Sequence, residues 1–374
     1  MSTSTRVGRS IATGSGHLGR GSAVLAVLTV QVIAFAAAYV AEQPTLYALF
    51  AMGSAAAIAG ATGGGLRGVA AAAVATGVVG AIGWALESYW ILVVGPVIFT
   101  LVVGTTERRW AGVAAATMGS VLLVALALPL ALFVARQDPG LVSEALRSPE
   151  VHRMLYLTVY GPLLATLFTL VFGVPLAYLL ARGFPGRPLV EGLVDLPLVV
   201  PHSVAGLLIL FGFGRGAAFP ELGVLGTTVG MVLAMAFVSA PFAVNVAREA
   251  FEDVERDVER AARVHGASQF EAFRRVSLPL AARGVLTGGV LAWARAVSEF
   301  GAVAVVAYNV SFFYPPAGEV VTGQHAPVFI FNTFTAGSLA ESSAVAFVLL
   351  SMSLGIFLLV RWLAYDASTA GVIR

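Results

Sequence analysis

Two groups of residues have the types and spacing to do chemistry in this 374-residue chain. The first is the run Glu252–Leu280, EDVERDVERAARVHGASQFEAFRRVSLPL, the one long charged stretch in an otherwise apolar sequence. Charge at that density suits docking on another protein or ion pairing. The second is Arg295 and Glu299, spaced i,i+4 within an apolar run, with Pro201 and His202 near the start of another. Charges at membrane depth are costly, and they are paired or functional. His202 reads first as a helix-packing donor and second as an ion ligand. Pro201 and Pro197 each remove a backbone donor and bend or loosen the helix entry. Catalytic constellations are missing: there is no HExxH zinc site and no G-x-S-x-G elbow. Cysteine is absent, which excludes disulfides and thiolate metal sites. All 22 basic residues are arginine, so neither a P-loop lysine nor a lysine Schiff base is available. We therefore expect no catalytic residue, no metal site and no cofactor bound by this chain. The arginines are spread over loops without interleaved aromatics, which argues against nucleic acid.

The elements that must hold these residues are membrane helices. The chain is 58% hydrophobic and 11% charged, against about 25% charged in soluble domains. A span needs about 20 mostly apolar residues. Ten candidates satisfy this: 22–41, 46–63, 67–86, 89–104, 111–135, 155–181, 196–214, 226–247, 284–307 and 342–364. The first is long for a signal peptide and is read as a retained helix. The sequence thus predicts an all-α polytopic bundle. The positive-inside rule sets its orientation. With Arg6, Arg9 and Arg20 in the cytoplasm, ten spans bring Arg67, Arg108, Arg109, Arg182, Arg187, the 248–283 loop, Arg361 and Arg374 to the same side. Both termini are then cytoplasmic. Residues 1–108 are Ala/Gly-rich, with small-xxx-small spacing at Gly60/Gly64 and Gly64/Gly68 that permits close helix packing. They are expected to form an extra four-helix unit, bounded by GTTERR at 104–109, ahead of a six-helix part at 109–374. The external segment 136–154 should carry a short helix at Leu141–Leu146. The segment 308–341 is too polar and Pro-broken to span, and should pack on the outer mouth of the bundle.

Within the charged run, a first helix is expected from about Glu249 to Val264, with its acidic start and Arg-bearing end suited to the helix dipole. Gly266 reads as a left-handed cap. Ser268 and Glu271 form an S-x-x-E capping box that starts a second helix. That helix carries Phe270, Phe273 and Val276 as an apolar stripe, and Pro279 should end it. The stripe either docks on a partner or packs under its own bundle.

The pattern E-x-A-A-x-x-x-G-x9-I-x-L-P appears here as Glu259, Ala261, Ala262, Gly266, Val276, Leu278 and Pro279. Arg260 stands where the commonest form has Ala, and Val276 replaces Ile. This loop resembles the signature cytoplasmic loop of ABC importer permeases. Further segments resemble molybdate/tungstate-type permeases, closest to the archaeal kind: Phe184–Arg187, Asp195–Gly206, Phe237–Phe242, Trp293–Ala302 and Ala326–Ile330. The resemblance covers about residues 111–364 and leaves residues 1–104 outside it. It implies that the second helix is a coupling helix seated in an ATPase subunit, with Glu259, Ala261, Ala262, Gly266, Ala267, Ser268, Phe270, Phe273, Leu278 and Pro279 as the coupling residues.

In that light Arg295 and Glu299 have two readings. They form a structural clamp, or Arg295 lends positive field to an oxyanion pathway while Glu299 tempers it. The resemblance implies a multi-pass protein of a prokaryotic plasma membrane. It would act as a homodimer with two ATPase subunits that bind ATP and Mg, and with an external substrate-binding protein. Rival readings are an ABC permease for sulfate, phosphate or ferric iron, and a secondary transporter. The latter should show paired repeats and broken helices with midplane ligands. For residues 1–104 alone, a structural or assembly role is a third alternative.

Overall fold

The computed structural model describes residues 20–43, positions 47, 50, 51, 53 and 54, and residues 66–86, 91–104, 110–217 and 219–370. Within it the chain divides between Gln137 and Asp138 into two compact units. The expected second span, 46–63, and the GTTERR boundary fall largely outside the described residues.

The first unit contains α1 (Arg20–Val40), α2 (Leu66–Ala85), α3 (Ile91–Gly104) and α4 (Trp110–Ala135). Small and branched apolar residues build its interior, with Phe35, Ala72, Val93, Val97 and Ile98 buried. A buried amide needs partners. Gln31 of α1 finds them in Ser54 at 2.9 Å and Thr100 of α3 at 3.1 Å. The helix α4, placed by its sequence with the second part, packs here against α1 and α3.

The second unit opens with α5 (Pro139–Arg147), close to the expected 141–146. Asp138 caps it by accepting from the Gly140 amide at 2.7 Å. There follow α6 (Pro149–Arg182), α7 (Arg187–Val199), α8 (His202–Phe213), α9 (Thr228–Glu252), α10 (Arg256–Val264), α11 (Gln269–Ala272), a π-helical turn at Phe273–Ser277, α12 (Leu278–Val297) and α13 (Gly301–Val306). The chain then forms β1 (Val310–Tyr314), β2 (Glu319–Gly323), α14 (Ala326–Ala336) and α15 (Leu339–Ala370). Helices α6, α9 and α12 pack on one another as the heart of the unit. Helix α12 lies so close to α9 that a Cβ at Gly284 would stand 2.2 Å from the Ala250 Cβ.

Six helices among the described residues are long and apolar enough to cross a membrane: α2, α4, α6, α9, the stretch Gln269–Val297, and α15. The expected span 22–41 is matched by α1, Arg20–Val40, while 89–104 and 196–214 appear as shorter apolar helices. The last is broken at Val200–Pro201, because Pro201 has no amide to continue the ladder. The span expected at 284–307 stops at Val297 and resumes as α13 after a three-residue break.

The all-α expectation also misses an antiparallel hairpin, in which Val310 faces Gly323 and Tyr314 faces Glu319. The two-residue period of a strand puts Phe312 and Val321 on the buried face and Phe313 and Val320 on the exposed one. Phe312 stacks on Tyr156 of α6 at 5.9 Å, so the segment does pack on the bundle.

Candidate functional site

The charged run departs from its expected form at the start. Helix α9 continues to Glu252, and the chain turns through Asp253–Glu255 before α10 begins at Arg256. Burial explains the turn, since Phe251 and Val254 both sit inside the unit. Arg182 also donates to the Val254 carbonyl at 3.2 Å. At the far end Gly266 has φ +92° and its amide donates to the Arg263 carbonyl at 3.0 Å, which makes it the left-handed cap expected. The capping box is formed: the Glu271 amide donates to Ser268 Oγ at 3.2 Å, and the Ser268 amide donates to Glu271 Oε2 at 2.9 Å.

Pro279 does not end the second helix. The Leu278 amide donates to the Phe273 carbonyl, an i→i−5 bond, and helix continues from Gln269 to Val297. Pro279 therefore lies in the first turn of α12, where a missing amide is tolerated. The two phenylalanines of the expected stripe remain ring neighbours at 6.5 Å but differ in burial. Phe270 stays 67% exposed. Phe273 turns inward, 4.8 Å from the Tyr178 ring and 5.9 Å from that of Phe251. Around the tip, Ala261 is exposed, while Ala262, Ala267 and Leu278 are half-buried.

Glu259 lies under this tip, its side chain 12% exposed. Its Oε1 accepts from Arg182 of α6 and from the Ser277 hydroxyl, and its Oε2 accepts from the Tyr178 hydroxyl at 3.2 Å. Sequence reasoning named Glu259 but missed all three partners, which lie 18 to 81 residues away. Nearby, Glu191 of α7 pairs with Arg187 at 2.8 Å and with Arg248 of α9. The hydrogen bond from Arg187 is the main cause holding the Glu191 carboxyl below its usual range. Asn245 donates to Asp195 at 2.7 Å.

The second candidate group is assembled by the break after α12. Arg295 is in the last turn of α12, and Glu299 follows it in the break, at a helix end and not mid-helix as expected. They pair at 3.1 Å, with the Glu299 side chain fully buried. His202, the first residue of α8 after the break at Pro201, joins them. His202 Nδ1 lies 2.9 Å from Glu299 Oε2, and Arg295 reaches both His202 ring nitrogens at 2.7–2.8 Å. The other carboxylate oxygen of Glu299 accepts from the Ala302 amide at 2.9 Å. Arg295 also donates to the Ser298 hydroxyl at 3.1 Å. The arrangement is a buried carboxylate holding a cation and an imidazole, whose outer edges, His202 at 43% and Arg295 at 20% exposed, stay open. His325, which no motif flagged, is fully buried. Burial pushes its pKa down to about 3, opposed by the Glu299 backbone. No group of three or more His, Asp or Glu among the described residues could hold a metal ion.

A family model described as the binding-protein-dependent transport system inner membrane component matches residues 170–367. That interval holds the charged loop and both breaks around His202 and Glu299. The chain belongs to this family. It is a multi-pass membrane permease subunit, not an enzyme. A molybdate/tungstate transport system permease protein of Thermococcus kodakarensis is 38% identical over 251 residues, covering 66% of this permease and 94% of that protein. A sulfate transport system permease protein of Salmonella typhimurium is 33% identical over 218 residues, 56% of this permease and 76% of that protein. A solved bacterial ABC transporter that imports the acidic polysaccharide alginate superposes with a TM-score of 0.51 at 16% identity, over 70% of this permease and 99% of that chain. That last likeness concerns the fold alone.

Proposed function

We propose that this permease carries a tetrahedral oxyanion, molybdate or tungstate, into the cell as the membrane subunit of an ATP-driven importer. The observation that carries the substrate is the likeness to a molybdate/tungstate permease across nearly that protein's whole length. A sulfate permease is matched over less of both chains, so sulfate is the second reading. Two copies would form the pathway, with two ATPase subunits binding ATP and Mg in the cytoplasm and a binding protein outside. The coupling surface is the tip from Val264 to Phe270, where Gly266, Ala267 and Ser268 set the turn. ATP-driven closure would draw two such tips together and switch the bundle between two states. Ten spans place both termini in the cytoplasm, with residues 1–108 as an additional membrane unit of unassigned role. By its resemblance α4 belongs with 109–374, although by packing it joins the first unit.

Arg295, held by Glu299 and His202 beside Pro201, supplies positive field to the oxyanion pathway. The test is uptake of radiolabelled molybdate and tungstate by proteoliposomes holding the permease, its ATPase and its binding protein. Uptake should need ATP and resist excess sulfate. Competition by equimolar sulfate would favour the second reading, and uptake without ATP would overturn the whole. In the same assay Arg295→Gln should lower uptake about tenfold, as loss of a charge-assisted contact predicts; unchanged uptake at normal expression would remove Arg295 from the pathway.

A further inference from the structure

The signature loop contains a carboxylate whose hydrogen-bond partners come from its own chain. Glu259 is covered, and the ligands it holds come from separate elements. Tyr178 and Arg182 close the cytoplasmic end of α6, and Ser277 lies in the π-helical turn that leads into α12. Arg182 also donates to the carbonyl of Val254, just past the end of α9, and its own carbonyl accepts from Arg256 at 3.0 Å. The cytoplasmic ends of α6 and α12 thus meet at Glu259, and the end of α9 joins them through Arg182. The face that is open lies elsewhere, at Val264, 84% exposed, and Phe270.

We infer that Glu259 and Arg182 are positioning residues: a buried latch that passes movement of the loop tip into α6 and α9, while the tip alone touches the ATPase. Helix α12 follows the tip directly, because helix runs unbroken from Gln269. Helices α6 and α9 have no such continuity with the tip. Their connections are Phe273, set against Tyr178 and Phe251, and the ion pair with its hydrogen bonds. Ring contacts can slide, whereas a charged, desolvated, multiply bonded carboxylate holds one geometry. The inference rests on the reading of this loop as the ATPase-coupling element.

The decisive variant is the double neutralisation Arg182→Gln/Glu259→Gln. Removing one partner alone strands a buried charge, but removing both leaves none, so folding is spared. The variant should co-purify with the ATPase as the wild type does and melt near it. Stimulation of ATP hydrolysis by loaded binding protein should be lost, and oxyanion imported per ATP should fall about tenfold. A merely structural role would lower the yield of complex and leave that ratio unchanged. An unchanged ratio overturns the latch. Loss of ATPase from a well-folded double variant also overturns it, by making Glu259 a docking contact. Should the double variant not fold, Tyr178→Phe, which removes one hydrogen bond from the carboxylate, decides: a reduced ratio in an intact complex supports the latch and a normal ratio overturns it. Failure of the wild type to assemble with an ATPase would sink the proposed function itself, and that outcome is distinct from these.

Discussion

Gly266 isolates one physical cause at a single position. Its φ of +92° is strained for any residue with a side chain, yet nothing stands within 4 Å of the place a Cβ would occupy. Substitution therefore acts on the backbone alone, at about 1–2 kcal/mol. Gly266→Val should leave the bundle folded and its melting temperature within a few degrees. It should uncouple ATP hydrolysis from import, and normal uptake by that variant would refute the role of the tip. The cap was legible because glycine, Ser268 and Glu271 are local signals. The partners of Glu259 were not, since a carboxylate in sequence does not announce which distant arginine will reach it. His325 lies at the same limit. With a folded pKa of about 3 against roughly 6.5 when unfolded, its neutral form is favoured above that upper value. As pH falls below it, the unfolded state takes up the proton first. Stability should decline from about pH 6.5 towards 3, and His325→Asn should flatten that slope in thermal melts. Equal slopes would show that the ring titrates normally.

At the scale of elements, the apolar runs located the helices and misjudged how they end. Hydropathy averages over a window, so it carried the run at 284–307 across a break after which the Glu299 carboxylate accepts from the Ala302 amide in the first turn of α13. It also joined α7 to α8 across Pro201. The hairpin was signalled by Pro315, Pro316 and Gly318 between two short apolar-aromatic runs, but strands of five residues give little weight to a period of two. Pro279 was read as a terminator because only the folded chain shows the π-helical turn before it. Helix contacts allow a sharper prediction. Gly284→Val forces its new side chain into Ala250, where even a Cβ would sit at 2.2 Å. Overpacking of that kind costs about 1–3 kcal/mol. The variant should melt lower and yield less assembled permease, whereas Gly355→Val, with nothing near its Cβ, should not. Equal melting of the two would show that α9 and α12 tolerate separation.

For the whole molecule, orientation and partnership are the properties at stake. The chain has no cysteine, so single cysteines report on topology without background. Val264→Cys should react with an impermeant maleimide only in inside-out vesicles. Phe313→Cys, on the exposed face of the hairpin, should react only in right-side-out cells. Labelling of both from one side would overturn the arrangement of spans. The grouping of α4 with the first unit is likewise a property of the folded chain: its sequence resembles the permease part, but its packing partners are α1 and α3.

The sequence by itself determined that this is a membrane protein, that it lacks the residues for its own ATP hydrolysis, and that a charged loop with a left-handed cap faces one side. These follow from composition and from signals only a few residues apart. Only the tertiary structure decided that the buried Glu259–Arg182 pair joins three helix ends, that Phe273 turns inward while Phe270 stays open, and that His202, Arg295 and Glu299 share one site. Each depends on residues far apart in the chain meeting where water is excluded, and there a charge must find its partner in space, whatever the separation in sequence.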